Sequence, residues 1–198
     1  METLNKGNIY ITATSPQAIY EAYFEQFQRD FKHFLKSRSN ELKVGGIMLL
    51  TFMGRKNAHD FSSPSSVIGM ALKDMVLQGL VEEAKLNSFI VPIYGPTMEE
   101  VRQIIEIEGS FTLQTLETFE MGWDFELEEN VSDSVVDSKI RGEFIAKYIR
   151  SVYEPLLTAE FGNYIMDELF SRFAKKVSQL LEVDRLEYTN LVVSMKKT

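Results

Sequence analysis

The chain contains no cysteine, only two histidines and five prolines among its 198 residues. Without cysteine, disulfide bonds, thiol nucleophiles and cysteine-ligated zinc are excluded. The sequence also lacks an HExxH metal motif, glycine loops of the GxGxxG or GxxxxGK[ST] type, and a GxSxG nucleophile elbow. The motifs of zinc proteases, nucleotide-binding folds and α/β-hydrolases are therefore missing.

Long apolar runs are missing as well. No stretch of about 18 apolar residues predicts a membrane span, and the first residues, METLNKGNIY, form no apolar signal-peptide core. We therefore expect a cytoplasmic protein, by elimination. The net charge is −8, from 21 basic and 29 acidic residues. This sign argues against nucleic acid and anionic membranes as partners.

The residues that are present suit a globular α/β domain. Hydrophobic residues make up 44% of the chain and aromatic residues 12%, which is enough for a sizeable core. The stretch NKGNIYITATSP, from Asn5, predicts a short strand that leads into a helix starting at Ser15-Pro16 and ending before Gly45-Gly46. The continuously apolar run 47–53 predicts a strand covered on both faces, as in parallel sheets.

The rest of the chain alternates between helical and extended periodicity. A helix is predicted after Pro64, and a capping box from Thr97 to Glu100 opens a short helix closed by Gly109. From Phe111 to Leu127 apolar residues occupy odd positions, which predicts a long strand. An acidic solvated loop (128–137), a helix stopping at Pro155, a further helix (161–180) and a last strand (191–195) follow. The order βαβααβααβ indicates an α/β fold.

Candidate catalytic side chains are few. His33 lies among charged residues of the first helix and is expected at the surface. His59 lies beside Asp60 in a polar loop, where adjacency alone does not make a catalytic pair. Glu99 and Glu100, like Glu82-Glu83, lie near helix ends and are expected to be solvated. The residues by themselves indicate an acidic α/β domain with no visible catalytic centre.

Nine collinear stretches resemble the plant SABATH family of S-adenosylmethionine-dependent carboxyl methyltransferases, which also contains the caffeine-pathway N-methyltransferases. They are NKGNIYITATSP, AYFEQFQRDFKHFLKSRSNEL, GGIMLLTFMGR, MALKDMVLQGLVEEAKLNSF, PIYGPTMEEV, EGSF, IAKYIRSVYEPLL, FG and NLVVSMKK. The resemblance implies the C-terminal half of a class I methyltransferase Rossmann-like sheet with a helical substrate cap. Residues 1–198 are then a single partial domain, with cap segments at about 60–108 and 134–183.

The resemblance also implies which functional residues of the family lie outside this half. In the family, the S-adenosylmethionine loop and the Gln and Trp that grip the substrate carboxylate belong to the N-terminal half. We therefore expect the neighbours of the first strand to precede Met1, and no cofactor-binding or catalytic residue in this chain.

Residue by residue, the resemblance implies substrate contacts at five positions: Met53, Tyr94, Ile149, Val152 and Tyr188. Each can equally be read from the residues alone as ordinary packing.

Two positions carry over from a Mg²⁺ site of some relatives, Asn5 and Phe89. The companion carboxylate is an amide here, Asn87, and the last Asn is Ile90, so that a tight site is doubtful. Where relatives have a pocket Trp, this chain has Ser65, which alters the pocket and leaves the substrate open.

The function implied is the substrate-pocket half of a methyltransferase for a small carboxylic acid or a related metabolite. The isolated chain is expected to be inactive, and a homodimer is a possible assembly. Two alternatives remain open at this point: a non-catalytic interaction protein, and a small hydrophobic-acid binder derived from the same fold.

Overall fold

The structure is a computed structural model that describes residues 5–57, 60, 62–130 and 137–198, with the backbone alone for 128–130. It divides into two compact units. The helical unit comprises Met1–Pro16, Phe61–Pro92 and Gly122–Glu187; the sheet unit comprises Gln17–Asp60, Ile93–Met121 and Tyr188–Thr198. His59 and part of the predicted acidic loop, residues 131–136, lie outside the described residues.

The described residues form seven α-helices and three strands, besides a short 3₁₀ turn at Asn163–Ile165. In chain order these are α1 (Gln17–Glu41), β1 (Ile47–Gly54), α2 (Pro64–Leu77), α3 (Glu83–Ser88), α4 (Met98–Glu108), β2 (Phe111–Gly122), α5 (Phe125–Asn130), α6 (Ser138–Phe161), α7 (Met166–Leu181) and β3 (Glu187–Lys197). None of the helices in the described part of the chain has the length and apolar character that crossing a membrane requires.

In the helical unit, α7 packs against both α6 and α2. The apolar faces of α6 and α7 are buried, with Ile145 and Leu157 on one helix and Leu169 and Phe173 on the other fully inaccessible to solvent. Gly142 lets the two helices approach closely, because a Cβ atom there would lie 2.2 Å from Ser178 Oγ.

In the sheet unit, β3 lies between β1 and β2. β1 runs antiparallel to β3, with Ile47 opposite Lys196 and Gly54 opposite Thr189. One face of this sheet forms the core with α1 and α4. The fully buried members of that core are Leu35, Val101, Ile104, Ile105, Leu191, Val193 and Met195.

The expectation that β1 is buried on both faces in a parallel sheet is wrong. The strand itself is confirmed, but Ile47, Leu49 and Met53 expose 69%, 65% and 51% of their surface on its second face. Its hydrogen-bonded neighbour β3 is antiparallel. A run of apolar residues therefore indicated the strand correctly and its surroundings incorrectly.

The strand predicted from Asn5 is also wrong, because local hydrogen bonds shape this segment into turns. Asn8 N donates to Asn5 O and Ser15 N to Thr12 O, each at 3.0 Å, and Gly7 has a φ of +76°. Ile9 and Ile11 are buried nonetheless. The segment therefore contains apolar residues because they are buried, and it forms turns because Asn and Gly favour them.

Two other boundaries differ from the prediction for tertiary reasons. β2 ends at Gly122 because Trp123 turns inward, donating its backbone N–H to Leu186 O at 2.9 Å, and Phe125 starts α5. Helix α6 continues through Pro155 to Phe161, because Tyr153 and Leu157 on either side of it are buried. The packing of α6 outweighs the local cost of a helical proline.

The loop predicted from residue 128 is wrong in its first part, because residues 128–130 belong to α5. Several other local signals are confirmed. Thr97 and Glu100 form the predicted capping box, and Gly109 ends α4 in the left-handed conformation. Helix α1 ends before Gly45, one of the predicted stop residues, although it begins at Gln17 rather than directly after Ser15. His33 is exposed, as predicted.

Candidate functional site

Three of the five predicted substrate-contact residues belong to chain segments that adjoin the carboxyl end of β1. Met53 pairs with Asn190 of β3, and Tyr188 lies in β3 one residue beyond the last pair, Gly54 with Thr189. Arg55 N donates to Pro96 O at 3.1 Å, which holds the connector between α3 and α4 against the end of β1. Tyr94 belongs to that connector.

Glycine makes this close approach possible. A Cβ atom on Gly54 would lie 1.7 Å from Leu191 Cδ1 and 2.6 Å from Pro96 O. A Cβ atom on Gly95 would lie 3.3 Å from the carbonyl of Gly54. The glycines of TFMGR and IYGP therefore serve the packing of connector against strand.

The side chain of Arg55 organises the site. Its Nη2 donates to Glu100 Oε1 and to the Tyr94 hydroxyl, both at 2.8 Å, and also to the Tyr20 hydroxyl. The guanidinium carbon lies 4.8 Å from the centre of the Tyr20 ring and 4.9 Å from that of Tyr94. Arg55 is only 6% exposed. We call these four residues (Tyr20, Arg55, Tyr94 and Glu100) the arginine cluster.

Glu100 is the acceptor at the centre of the arginine cluster. Its Oε1 accepts from the Tyr94 hydroxyl at 2.8 Å, and its Oε2 accepts from Thr97 N at 2.7 Å in the capping box. The same carboxylate therefore begins α4 and neutralises Arg55. The expectation that Glu100 is solvated is wrong, since its side chain is 14% exposed and ion-paired.

The electrostatics keep the two phenols of the arginine cluster neutral. Burial raises the pKa of Tyr94, and the contacts with Tyr20 and Glu100 raise it further. The pKa of Tyr20 is raised by burial and by its hydrogen bond to Glu100. Burial alone would lower the pKa of Arg55, but the carboxylate of Glu100 and the two phenols outweigh it and raise the value. The cluster thus positions side chains and offers no phenolate base at neutral pH.

Sequence reasoning missed Arg55 and the role of Glu100. The two residues are 45 positions apart, so no helical or strand periodicity joins them. The available signals were local ones: a capping-box glutamate and an arginine directly after an apolar strand.

The remaining two predicted substrate-contact residues lie in the helical unit, on α6. Ile149 is 3% exposed and belongs to the core, whereas Val152 is 64% exposed. Ser65, the residue expected to alter the pocket, is buried and its hydroxyl is hydrogen-bonded to that of Tyr153 at 2.8 Å. Burial raises the pKa of Tyr153.

The helical unit also contains a cavity of about 290 Å³. Its walls come from the segment 7–13 and from one side of α2, including Ile9, Ser65, Gly69 and Lys73. None of the five predicted substrate-contact residues lines it.

The two residues predicted from the Mg²⁺ site are engaged in packing and hydrogen bonds. Asn5 Oδ1 accepts from Ser15 Oγ at 2.7 Å, and Asn5 Nδ2 donates to Tyr10 O at 3.0 Å. Phe89 is buried with its ring centre 5.2 Å from that of Phe161. Asn87 Oδ1 accepts from Gly7 N at 2.8 Å. Across the described residues, no group of three or more acidic or histidine side chains could hold a metal ion.

The profile of the SAM dependent carboxyl methyltransferase family matches residues 1–198. The chain belongs to this family, which confirms the resemblance to the SABATH enzymes.

Curated relatives match almost the whole chain. It is 42% identical to "Probable jasmonic acid carboxyl methyltransferase 2" of Theobroma cacao, covering 98% of this chain and 53% of that protein. It is 40% identical to "Anthranilate O-methyltransferase 3" of Zea mays, covering 99% and 53%, and 39% identical to "Monomethylxanthine methyltransferase 2" of Coffea arabica, covering 98% and 52%. The chain therefore spans about half the length of these relatives.

A solved structure shares the fold. "Loganic acid methyltransferase with SAH" superimposes with a TM-score of 0.80 at 29% identity, over 100% of this chain and 55% of that one. The space beside Gly54, the last residue of β1, is filled by Leu191 and Pro96.

Proposed function

We propose that this chain provides the acceptor-binding part of an S-adenosylmethionine-dependent methyltransferase for a small carboxylic acid or a related metabolite. The observation that carries the proposal is that the chain segments bearing Met53, Tyr94 and Tyr188 adjoin the carboxyl end of β1. In α/β sheets, ligands bind beyond the carboxyl ends of strands. The names of the relatives, which include jasmonic acid, anthranilate and monomethylxanthine methyltransferases, support this class of acceptor.

The chemistry required of these residues is modest. S-adenosylmethionine supplies an activated methyl group, and a carboxylate is already a nucleophile, so no strong base is needed. The protein must orient the acceptor and exclude water. The contacts proposed for this purpose are the Tyr94 ring, which Arg55 holds in place, and the side chains of Met53 and Tyr188 on the sheet.

Two further points belong to the proposal. We infer that the chain alone transfers no methyl group, since the described residues offer no loop for the cofactor. We also infer that Mg²⁺ is not needed, because the oxygens of Asn5 and Asn87 already accept protein hydrogen bonds. Ile149 and Val152 remain predictions from the family resemblance.

The proposal is tested by calorimetric titration of the purified chain with jasmonate, anthranilate and 7-methylxanthine. At least one of these should bind, and Tyr94→Ala should weaken that binding about tenfold or more, as expected for an aromatic contact. Tyr164→Ala, at a tyrosine that is 78% exposed, is the control and should leave binding unchanged. Binding of none of the three compounds, or micromolar binding of S-adenosylmethionine, would overturn the proposal.

The exposed second face of β1 supports a second candidate function, a non-catalytic interaction protein whose partner is a second copy of the chain. Ile47 and Leu49 are 69% and 65% exposed there, and exposed apolar faces favour association. Sedimentation analysis should then show a dimer that Leu49→Asp converts to a monomer. A wild-type chain that remains monomeric at all concentrations rejects this candidate.

A further inference from the structure

Asn190 carries a side-chain amide that is buried without a hydrogen-bond partner. The residue is 8% exposed, and its Nδ2 atom has no acceptor. It lies in the interior of β3, paired with Met53 of β1. A buried amide N–H that donates no hydrogen bond destabilises the folded state, so such a group in a native structure calls for an explanation.

The position of Asn190 in the sheet separates it from the core. Side chains alternate between the faces of a strand, and its neighbour Leu191 points into the core with Val193 and Met195. Asn190 therefore lies on the opposite face, beside Met53, whose flexible side chain is 51% exposed. Tyr188, two residues earlier, shares this face.

A second unpaired donor lies near the same strand end. Arg55 follows β1 directly, and its Nε atom is buried without an acceptor although Nη2 is fully engaged by the arginine cluster. The guanidinium of Arg55 lies with Tyr20 and Glu100 on the side of α1 and α4. It is therefore the unpaired amide of Asn190 that marks the second face of the sheet, where an oxygen-bearing ligand would complete the hydrogen bonding.

We propose that Asn190 is a ligand-binding residue whose side-chain amide donates a hydrogen bond to a carboxylate oxygen of the methyl acceptor. This inference rests on the proposed function and extends it from apolar contacts to a polar group that fixes the orientation of the acceptor. A few placed polar groups in an otherwise apolar pocket are what give such sites their specificity. A site that donates a hydrogen bond to an oxygen of the ligand also discriminates against analogues that lack this oxygen.

A ligand-binding role for Asn190 predicts that its substitution affects stability and binding in opposite directions. Asn190→Leu removes an unsatisfied buried donor while keeping the shape of the side chain, so the free chain should melt at the same or a higher temperature. Its affinity for the acid bound best by the wild type, among jasmonate and anthranilate, should fall about tenfold, the value of one hydrogen bond to a charged group. Asn190→Asp should bind more weakly still, since two carboxylates then face each other.

Calorimetry and melting curves of the full chain give the answer, with Asn40→Leu as a matched control at an exposed asparagine of the sheet unit. Loss of affinity in Asn190→Leu without loss of melting temperature supports the inference. Unchanged affinity overturns it and leaves the proposed function standing. A joint fall in affinity and melting temperature also overturns it, because Asn190 is then a structural residue. Binding of neither acid to the wild type overturns the proposed function and this inference with it.

Discussion

Arg55 and Glu100 form a buried ion pair, with 2.8 Å between Nη2 and Oε1, that joins the end of β1 to the first turn of α4. Tyr94 lies on the connector between these elements and hydrogen-bonds to both partners at 2.8 Å. One salt bridge therefore fixes two elements and the orientation of a predicted substrate-contact residue.

Removing the arginine should be costly, because it leaves Glu100 buried without a cation. We expect Arg55→Met to lower the free energy of unfolding by about 3 kcal/mol, a typical value for breaking a buried pair. Urea unfolding followed by circular dichroism measures this. Arg38→Met is the matched control, since Arg38 pairs with Glu41 at the surface, where about 0–1 kcal/mol is expected. Equal effects of the two substitutions would contradict the role given to the arginine cluster.

The raised pKa of Tyr94 predicts a loss of stability in alkaline solution. The folded chain retains a proton that the unfolded chain releases near the ordinary tyrosine pKa of about 10. The contribution of Tyr94 is therefore fully present below that pH and falls as the pH rises above it.

Tyr94→Phe should weaken this alkaline dependence, measured as the urea midpoint against pH from about 8 to 11. Tyr164→Phe, at an exposed tyrosine, serves as the control. The same alkaline loss in Tyr94→Phe as in the wild type would show that Tyr94 does not hold its proton in the folded state.

Because Pro155 lies inside a helix, its substitution should stabilise the folded chain. Pro155 lies inside α6 and provides no N–H for its hydrogen bonding. Pro155→Ala should therefore raise the free energy of unfolding by about 1 kcal/mol or more, after the greater freedom of the unfolded chain is subtracted. Pro64→Ala, at the first position of α2 where proline is favourable, should give no gain. Thermal melting compares the two, and a destabilised Pro155→Ala chain would contradict the expectation.

Removal of divalent metal ions should not change the melting temperature of the chain. Asn5 and Asn87 use their side-chain oxygens within the protein, so the melting temperature should be the same in chelator and in millimolar Mg²⁺. Asn5→Ala should lower it, because Tyr10 O and Ser15 Oγ then lose their partner. A melting temperature that rises with Mg²⁺ in the wild type, and no longer rises in Asn5→Ala, would demonstrate a metal site.

Local signals in the sequence were sufficient to predict the parts of the fold that are determined by interactions between residues close in the chain. The capping box of Thr97, the stop at Gly109 and the strand at 47–53 depend on residues a few positions apart, and all are confirmed. The helix through Pro155 and the turn at Trp123 depend on packing against distant residues, and both were predicted incorrectly.

The site shows the same division. Met53, Tyr94 and Tyr188 are named from the family resemblance and stay predictions. Arg55 and Glu100 could not be paired, because their interaction crosses 45 positions. Asn190 has no sequence signal at all, since an unsatisfied amide is defined only by what surrounds it in three dimensions.

The central claim is that this chain supplies the acceptor-binding part of a methyltransferase. The most direct measurement uses a chimera in which residues 1–198 replace the matching half of the jasmonic acid carboxyl methyltransferase relative from Theobroma cacao. Transfer of a labelled methyl group from S-adenosylmethionine is assayed with jasmonate, anthranilate and 7-methylxanthine. The account predicts transfer to at least one of them, reduced by Tyr94→Ala. A chimera that folds and binds S-adenosylhomocysteine, yet methylates none of the three, would contradict it.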